Sequence, residues 1–245
     1  MRVLPLPYIN RGRLEDEKFE YLPITWAPSY ASGISASGRF GVFEAAVELK
    51  NASLSSRPES WDLTQIGFEH PTVSARAAVR PNEMWNFGFS ASKGAYFRPE
   101  AESTLPSGKG LGDYDQIVLG QDISFAWHHL QIWAECYESR FEVPTLGSGP
   151  EFNADALSYH IEAKYKFLPQ LAGALRWNQQ FFSDAPDAFG DGGVPWWHDI
   201  WRVDTALIYR LTEHTQLKVQ YNLQHEDGTG RGYGHTFATQ ITVRF

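Results

Sequence analysis

Charged and amide side chains recur at every second position along much of this 245-residue chain. Between residues 199 and 210, for example, Arg202 and Asp204 alternate with Trp201 and Val203. Such a row can line an aqueous passage and select solutes by charge, or it can form cross-strand ion pairs that stiffen a wall. The candidate lining residues are Glu44, Glu48, Arg76, Arg80, Asp122, His160, Glu162, Lys164, Arg176, Arg202, Asp204, Lys218 and Arg244.

Other reactive residue types give no catalytic or metal-binding pattern. His128 and His129 lie together in a short predicted turn, with no Ser or Asp spaced to complete a nucleophile–base pair, and zinc-protease motifs are missing. The loop 184–199 carries four aspartates, but their spacing matches no EF-hand, so a solvated loop is favoured over a calcium site. We therefore predict that the chain is not an enzyme and needs no cofactor or metal.

Two adjacent tryptophans, Trp196 and Trp197, stand in the same loop. They could stack on a sugar ring, anchor the chain at a membrane interface, or belong to a loop that folds inward to narrow a passage. Amphipathic indole rings favour the interface, so the anchor is the preferred interpretation.

The composition narrows the class of protein. Aromatic residues make up 15% of the chain, yet the mean hydropathy is −0.38 and no stretch approaches the roughly 18 apolar residues of a spanning helix. A net charge of −8 disfavours a nucleic-acid partner, and a single cysteine excludes a disulfide framework. The first residues lack the apolar core of a secretory signal. The chain is then a cytosolic protein, a trimmed mature form or a C-terminal piece of a longer chain, and the strand pattern favours the third.

Period-two alternation predicts about ten strands. The segments are 39–50, 72–80, 85–96, 114–127, 130–142, 154–167, 171–182, 199–210, 216–225 and 235–245. The phase of 130–142 is open: Ile132, Ala134 and Cys136 could face one way with Trp133, Glu135 and Tyr137 the other, or a bulge could switch faces. Short and long connections alternate, which is typical of an antiparallel up-and-down β-barrel with two unlike ends. We predict a barrel domain over 39–245, after an irregular segment 1–38 that is a remnant strand, a periplasmic segment or a plug.

Aromatic residues indicate which solvent the apolar face meets. Those predicted beside the short turns are Trp85, Trp127, Phe167, Tyr209 and Phe245. Transmembrane barrels carry such girdles where the wall crosses the lipid headgroups, and their polar face turns inward. The arrangement therefore predicts a transmembrane β-barrel whose apolar side chains contact lipid.

The closing stretch "TFATQITVRF" resembles the C-terminal signature strand of bacterial outer-membrane β-barrel proteins, which alternates apolar residues and ends in an aromatic. By this resemblance the lipid-facing residues that the barrel-assembly machinery reads are Phe237, Thr239, Ile241, Val243 and Phe245. The chain resembles the porin group more than the small eight-strand barrels, although porins usually have more strands. It is therefore expected to be the C-terminal part of a larger barrel or, alternatively, a narrow barrel of ten strands. The resemblance implies the outer membrane of a Gram-negative bacterium, with membrane lipid as a partner, and allows a homo-oligomer.

The expected function is a porin-like channel for passive diffusion of small hydrophilic solutes or ions. One alternative is a non-conducting structural or adhesion barrel in the outer membrane. Another is a soluble, lipocalin-like binding barrel with its apolar residues inside. The two faces of the sheet separate the soluble alternative from the membrane interpretations.

Overall fold

The computed structural model of the chain describes residues 33–51, 69–97, 99–144, 151–186, 193–227 and 232–244. The strands are β1 Gly33–Phe40, β2 Phe43–Lys50, β3 Thr72–Val79, β4 Trp85–Ala95, β5 Asp115–Trp127, β6 Leu130–Val143, β7 Phe152–Lys166, β8 Leu171–Phe182, β9 Asp184–Pro186, β10 Gly193–Pro195, β11 Ile200–Arg210, β12 Thr215–Glu226 and β13 Gly234–Val243. Two short 3-10 helices, Pro99–Thr104 and Leu111–Asp113, lie between β4 and β5. Within the described residues, no helix has the length and apolar character to cross a membrane.

Eleven strands form one sheet in which every strand pairs antiparallel with its neighbour along the chain. The exceptions are β9 and β10, which form a separate small hairpin inside the connection between β8 and β11. This confirms the predicted up-and-down antiparallel architecture. The order is that of a barrel wall, in which each strand is joined to the next by a hairpin connection.

The sheet has one more strand than the ten predicted. β1 was assigned to the irregular segment 1–38, so the sheet begins at Gly33 rather than at residue 39. Its sequence, GISASGRF, has few large apolar residues and gives a weak alternation. A tight turn at Gly41, whose φ of 62° suits glycine, then pairs Phe40 with Phe43. The predicted segment 39–50 therefore contains the end of one strand and the whole of the next.

The two faces of the sheet differ sharply in exposure. On one face Glu162 and Asn178 are 0% exposed and Asp204 is 1% exposed. On the other, Leu175 is 55% and Ile241 is 67% exposed. The polar face is thus the covered inner face and the apolar face is the open outer one, which is the reverse of a soluble barrel. The lipocalin-like alternative is wrong for this reason.

The strand whose phase was open, β6, keeps a single phase with no bulge. Its register pairs Ile132 with the outward Phe125 and pairs Glu135 with the inward Asp122. Because paired residues share a face, Ile132, Ala134 and Cys136 face outward. Trp133, Glu135 and Tyr137 therefore belong to the inner face.

The two outermost strands each have one neighbour in the described sheet: β1 pairs with β2, and β13 pairs with β12. Unsatisfied backbone groups are costly in hydrocarbon, so both edges need partners in a membrane. With eleven antiparallel strands, β1 and β13 run in the same direction. The prediction that this chain belongs to a larger barrel stays a prediction.

Candidate functional site

The candidate site is the inner, polar face of the wall. The strand registers place on it the side chains of Glu44 and Glu48 from β2, Arg76 from β3, Asp122 from β5, His160, Glu162 and Lys164 from β7, Arg176 from β8, Arg202 and Asp204 from β11, and Lys218 from β12. Arg80 and Arg244 follow the last residues of β3 and β13. The predicted candidates therefore share one face. Whether that face lines a conducting lumen stays a prediction.

An ion pair bridges two strands across a glycine. Arg76 on β3 and Asp122 on β5 form a bidentate pair, with Nη2 donating to Oδ1 at 2.8 Å, although β4 lies between their strands. Gly88 of β4 lies beneath the pair, and a Cβ there would collide with both the guanidinium and the carboxylate. The missing side chain is thus what lets a charged pair form across the intervening strand.

Replacing Gly88 with valine is expected to displace this ion pair and to lower the free energy of unfolding by about 1–3 kcal/mol, the usual cost of overpacking. Urea titration of the protein in lipid vesicles, followed by tryptophan fluorescence, measures the change. Gly110→Ala is the matched control, because a Cβ at Gly110 meets nothing within 4 Å and φ is −122°. Equal stability of the valine variant and the wild type would contradict the bridging geometry.

A buried charge network lies on the same face between β7 and β11. Glu162, Arg176 and Asp204 are neighbours in one transverse row. Arg176 Nη1 lies 4.0 Å from Glu162 Oε2, and Asp204 Oδ2 accepts hydrogen bonds from Arg202 Nε at 3.1 Å and Asn178 Nδ2 at 2.8 Å. No described protein group hydrogen-bonds to either carboxylate oxygen of Glu162. Among the described residues, Arg176 is therefore the one cation within 4.0 Å of this buried carboxylate.

The sequence interpretation missed several inner-face residues. Tyr137 donates a hydrogen bond to Glu135 beside the Arg76–Asp122 pair. Neither Tyr137 nor Glu135 was among the predicted candidates, because the phase of β6 was open. Lys166 and Arg210, the last residues of β7 and β11, are also missing from the predicted candidates, although the alternation of 154–167 already places Lys166 on its polar side. The sequence contained a signal for both. Each is a cation beside a short turn and lies two residues beyond an inner-face residue, Lys164 on β7 and Ile208 on β11, so it belongs to the same face.

The long-loop end of the inner face carries an aromatic cluster. The β9–β10 hairpin brings Trp196 between Phe141 and Phe182, with ring centroids 6.1 and 4.9 Å away. Its indole N–H donates to the Asp155 carbonyl at 2.9 Å. Phe141 and Phe182 face inward, because their partners in the sheet are the inner residues Gln116 and Ala156. The interfacial-anchor interpretation is therefore wrong for Trp196, which folds inward at this mouth.

Near the same end of the inner face, a tyrosine hydroxyl is hydrogen-bonded to a backbone carbonyl. Tyr96 donates from its hydroxyl to the Glu142 carbonyl at 2.7 Å, and its ring lies edge-on to Phe141. Burial, together with the Glu142 charge, raises the pKa of Tyr96 well above its ordinary value. Tyr96 therefore stays a neutral donor that ties the β4 end to the β6 end at physiological pH.

The predicted interface aromatics lie at the short-turn end. Trp85 begins β4, Trp127 ends β5, Phe167 follows β7 and Tyr209 lies one residue from the end of β11. Trp127 and Phe167 are each 56% exposed, on the apolar side. Phe245 lies outside the described residues, whereas the other predicted signal residues, Phe237, Thr239, Ile241 and Val243, occupy the outer face of β13. Their roles as anchors and as an assembly signal stay predictions.

An antiparallel up-and-down sheet with a covered polar face and an open apolar face is the wall of a transmembrane β-barrel, a structure found in bacterial outer membranes. The chain accordingly has an outer-membrane β-barrel fold, as its sequence predicted.

Solved structures of the same kind share this fold. A porin aligns with a TM-score of 0.56 at 10% identity, over 97% of this chain and 66% of its own. OmpT, an outer-membrane protein of Vibrio cholerae, aligns at 0.52 and 9%, over 80% and 54%. The siderophore receptor PirA from Acinetobacter baumannii aligns at 0.51 and 11%, over 86% and 38%. The chain thus spans two thirds or less of the length of these proteins.

At such identities the likeness concerns the fold alone. No family model and no curated protein matches the chain.

Proposed function

We propose that this protein is a porin-like channel of the outer membrane through which small hydrophilic solutes or ions diffuse passively. It acts without enzymatic chemistry and without a cofactor. Its partners are outer-membrane lipid, the barrel-assembly machinery during insertion and the diffusing solutes, and it is able to assemble with copies of itself.

The observation that carries the proposal is the sorting of the two faces. Ion pairs such as Arg80–Glu44 at 3.5 Å and Lys50–Glu48 at 3.9 Å decorate the inner face, while leucine, valine and aromatic residues cover the outer one. A polar inner surface supports water, and charged rings in water bias which ions pass. The solved porin of the same fold is consistent with this use of the wall.

Reconstitution of the full-length protein in a planar lipid bilayer is expected to give stepwise increases in conductance, because each inserted wall would surround a water-filled path. Heat-modifiable migration on a denaturing gel confirms that the sample is folded before it is measured. Liposomes lacking the protein give the baseline. Folded, inserted protein that passes no current would reject the channel while leaving the barrel fold intact.

One observation favours the second candidate, a non-conducting structural barrel. Between β7 and β11 the inner charges are paired and almost wholly covered, with Arg176 at 4% exposure and Asp204 at 1%. A lumen filled entirely in this way would not conduct. The unpaired cations described below make the first candidate the stronger one, and the bilayer measurement separates the two.

A further inference from the structure

In the described part of the chain, some cations of the inner face form no salt bridge. Elsewhere on this face arginines and lysines stand beside acids: Arg39 lies 3.8 Å from Glu44, and Arg202 lies 3.1 Å from Asp204. One exception is Arg244, just after β13; the other four lie on neighbouring strands at the short-turn end and are Lys164 and Lys166 of β7, Arg210 of β11 and Lys218 of β12. Among the described residues, none of these four has a carboxylate within 4.0 Å.

The registers place these four side chains in three successive transverse rows of the inner face, with Arg210 opposite Gln216 in the row next to the turn. Lys166 is opposite Ala172, and the same transverse row continues through Ile208 to Lys218. Lys164 lies two residues along β7, opposite Ala174. The small alanines between the lysine-bearing strands leave open space over the floor of the cluster. Long cationic side chains from both sides can therefore converge above it.

A depression of about 210 Å³ occupies that space. Lys164, Lys166 and Arg210 line it, together with the amide side chains of Gln131, Gln170 and Gln216, the two turn histidines His128 and His129, and the apolar or small residues Pro169, Leu171, Ala172 and Ile208. No acidic residue lines it among the described residues. The depression has room for a small, partly hydrated solute.

The electrostatics of the cluster call for an anion. The charges of Lys218 and Lys164 repel each other, and Lys218 is partly buried, which adds a desolvation cost. Glu162 attracts Lys164 electrostatically, but it is already paired with Arg176 at 4.0 Å. A bound anion would relieve the repulsion. Ammonium groups act as compact point charges, so a small solute with more than one negative charge gains most.

We propose that Lys164, Lys166 and Arg210 form a binding site for small multivalent oxyanions at the short-turn mouth of the wall, with Lys218 of β12 adding positive charge beside it. This inference rests on the proposed channel function for its access route and deepens it by naming the solute class. Short turns face the periplasm in outer-membrane barrels. The site would therefore hold an anion where it leaves the channel on the periplasmic side.

Isothermal titration of the folded protein in non-ionic detergent with inorganic phosphate tests the site without requiring conductance. Wild type is expected to bind phosphate saturably. The double variant Lys164→Gln/Arg210→Gln removes two of the four charges from two different strands and is expected to weaken binding at least tenfold. Lys50→Gln is the matched control, since Lys50 is on the same inner face beside Glu48, and it is expected to bind phosphate as the wild type does.

Two results would overturn the site: no saturable phosphate binding by folded wild-type protein, or equal weakening in Lys50→Gln and in the double variant. Bilayer recordings then report on the channel separately. A protein that conducts but binds no phosphate would retain the proposed function and lose the site. A protein that binds phosphate through these residues but never conducts would retain the site and lose the channel.

Discussion

Arginine in place of Ile161 is expected to lower the free energy of unfolding by about 2–4 kcal/mol, the cost of a cation on the lipid face of a barrel near mid-depth. Ile161 is 50% exposed and points outward from β7, between Ala134 and Trp177 of the adjacent strands. It stands five residues from the short-turn end of β7. That distance places its side chain near the middle of the hydrocarbon layer, where a charge costs most. Urea unfolding in lipid vesicles, followed by tryptophan fluorescence, measures the loss.

The matched control is Ser158→Arg on the same strand. Ser158 lies on the opposite face, where its sheet partners are Tyr137 and Gln180. Arginine there enters a polar environment and is expected to lower the stability by less than arginine at Ile161, because its charge does not face the hydrocarbon. A larger loss for the serine variant than for the isoleucine variant would mean that the two faces have been assigned to the wrong solvents.

The outward position of Ile161 could be predicted from the sequence, because alternation along a strand is strictly period two. Ser158, His160 and Glu162 fall on one side, and Leu157, Tyr159 and Ile161 on the other. For strands with large apolar residues on one side, such as β7 and β12, the sequence therefore predicts both the position of the strand and which side chains face outward. β1 was missed since serine, alanine and glycine occupy most of it and carry little hydrophobic contrast.

The pairing of inner charges needed the register. Glu162, Arg176 and Asp204 belong to three different strands, and only the alignment of β7, β8 and β11 shows that they share a row. Arg202 and Asp204 lie two residues apart on one strand, so their mutual pairing at 3.1 Å is within reach of the sequence pattern alone. The site at the short-turn mouth could not be predicted from the sequence. Its cations stand out only when the register shows which residues surround them and the ion pairs show that none of those neighbours is an acid.

The position of Trp196 was also beyond the sequence. Indole rings suit both a lipid interface and a protein interior, and residue type does not separate the two. Two facts of the fold decide it: the Trp196 ring packs against the inward Phe141, and the Asp155 carbonyl accepts the indole N–H. Both contacts join residues about forty or more positions apart, which local patterns do not contain.

Loss of the Arg176 guanidinium is expected to have an effect of similar or greater size. In Arg176→Met the Glu162 carboxylate, whose side chain is 1% exposed, loses the cation on which it depends. An uncompensated buried charge of this kind typically costs about 3–5 kcal/mol. Glu162→Gln is expected to cost less, because Arg176 has further interactions besides its pair with Glu162. Urea unfolding in vesicles compares the variants.

Two further variants make this test specific. Arg140→Met breaks a bidentate pair with Asp155 at 2.9 and 3.1 Å, but the two side chains are 57% and 43% exposed, so a loss below about 1 kcal/mol is expected. Arg176→Met/Glu162→Leu removes both buried charges and is expected to recover most of the stability, since apolar replacements of buried pairs are often neutral. Near-wild-type stability of Arg176→Met alone would mean that water reaches Glu162, and that this part of the inner face is a wet passage rather than a dry seam.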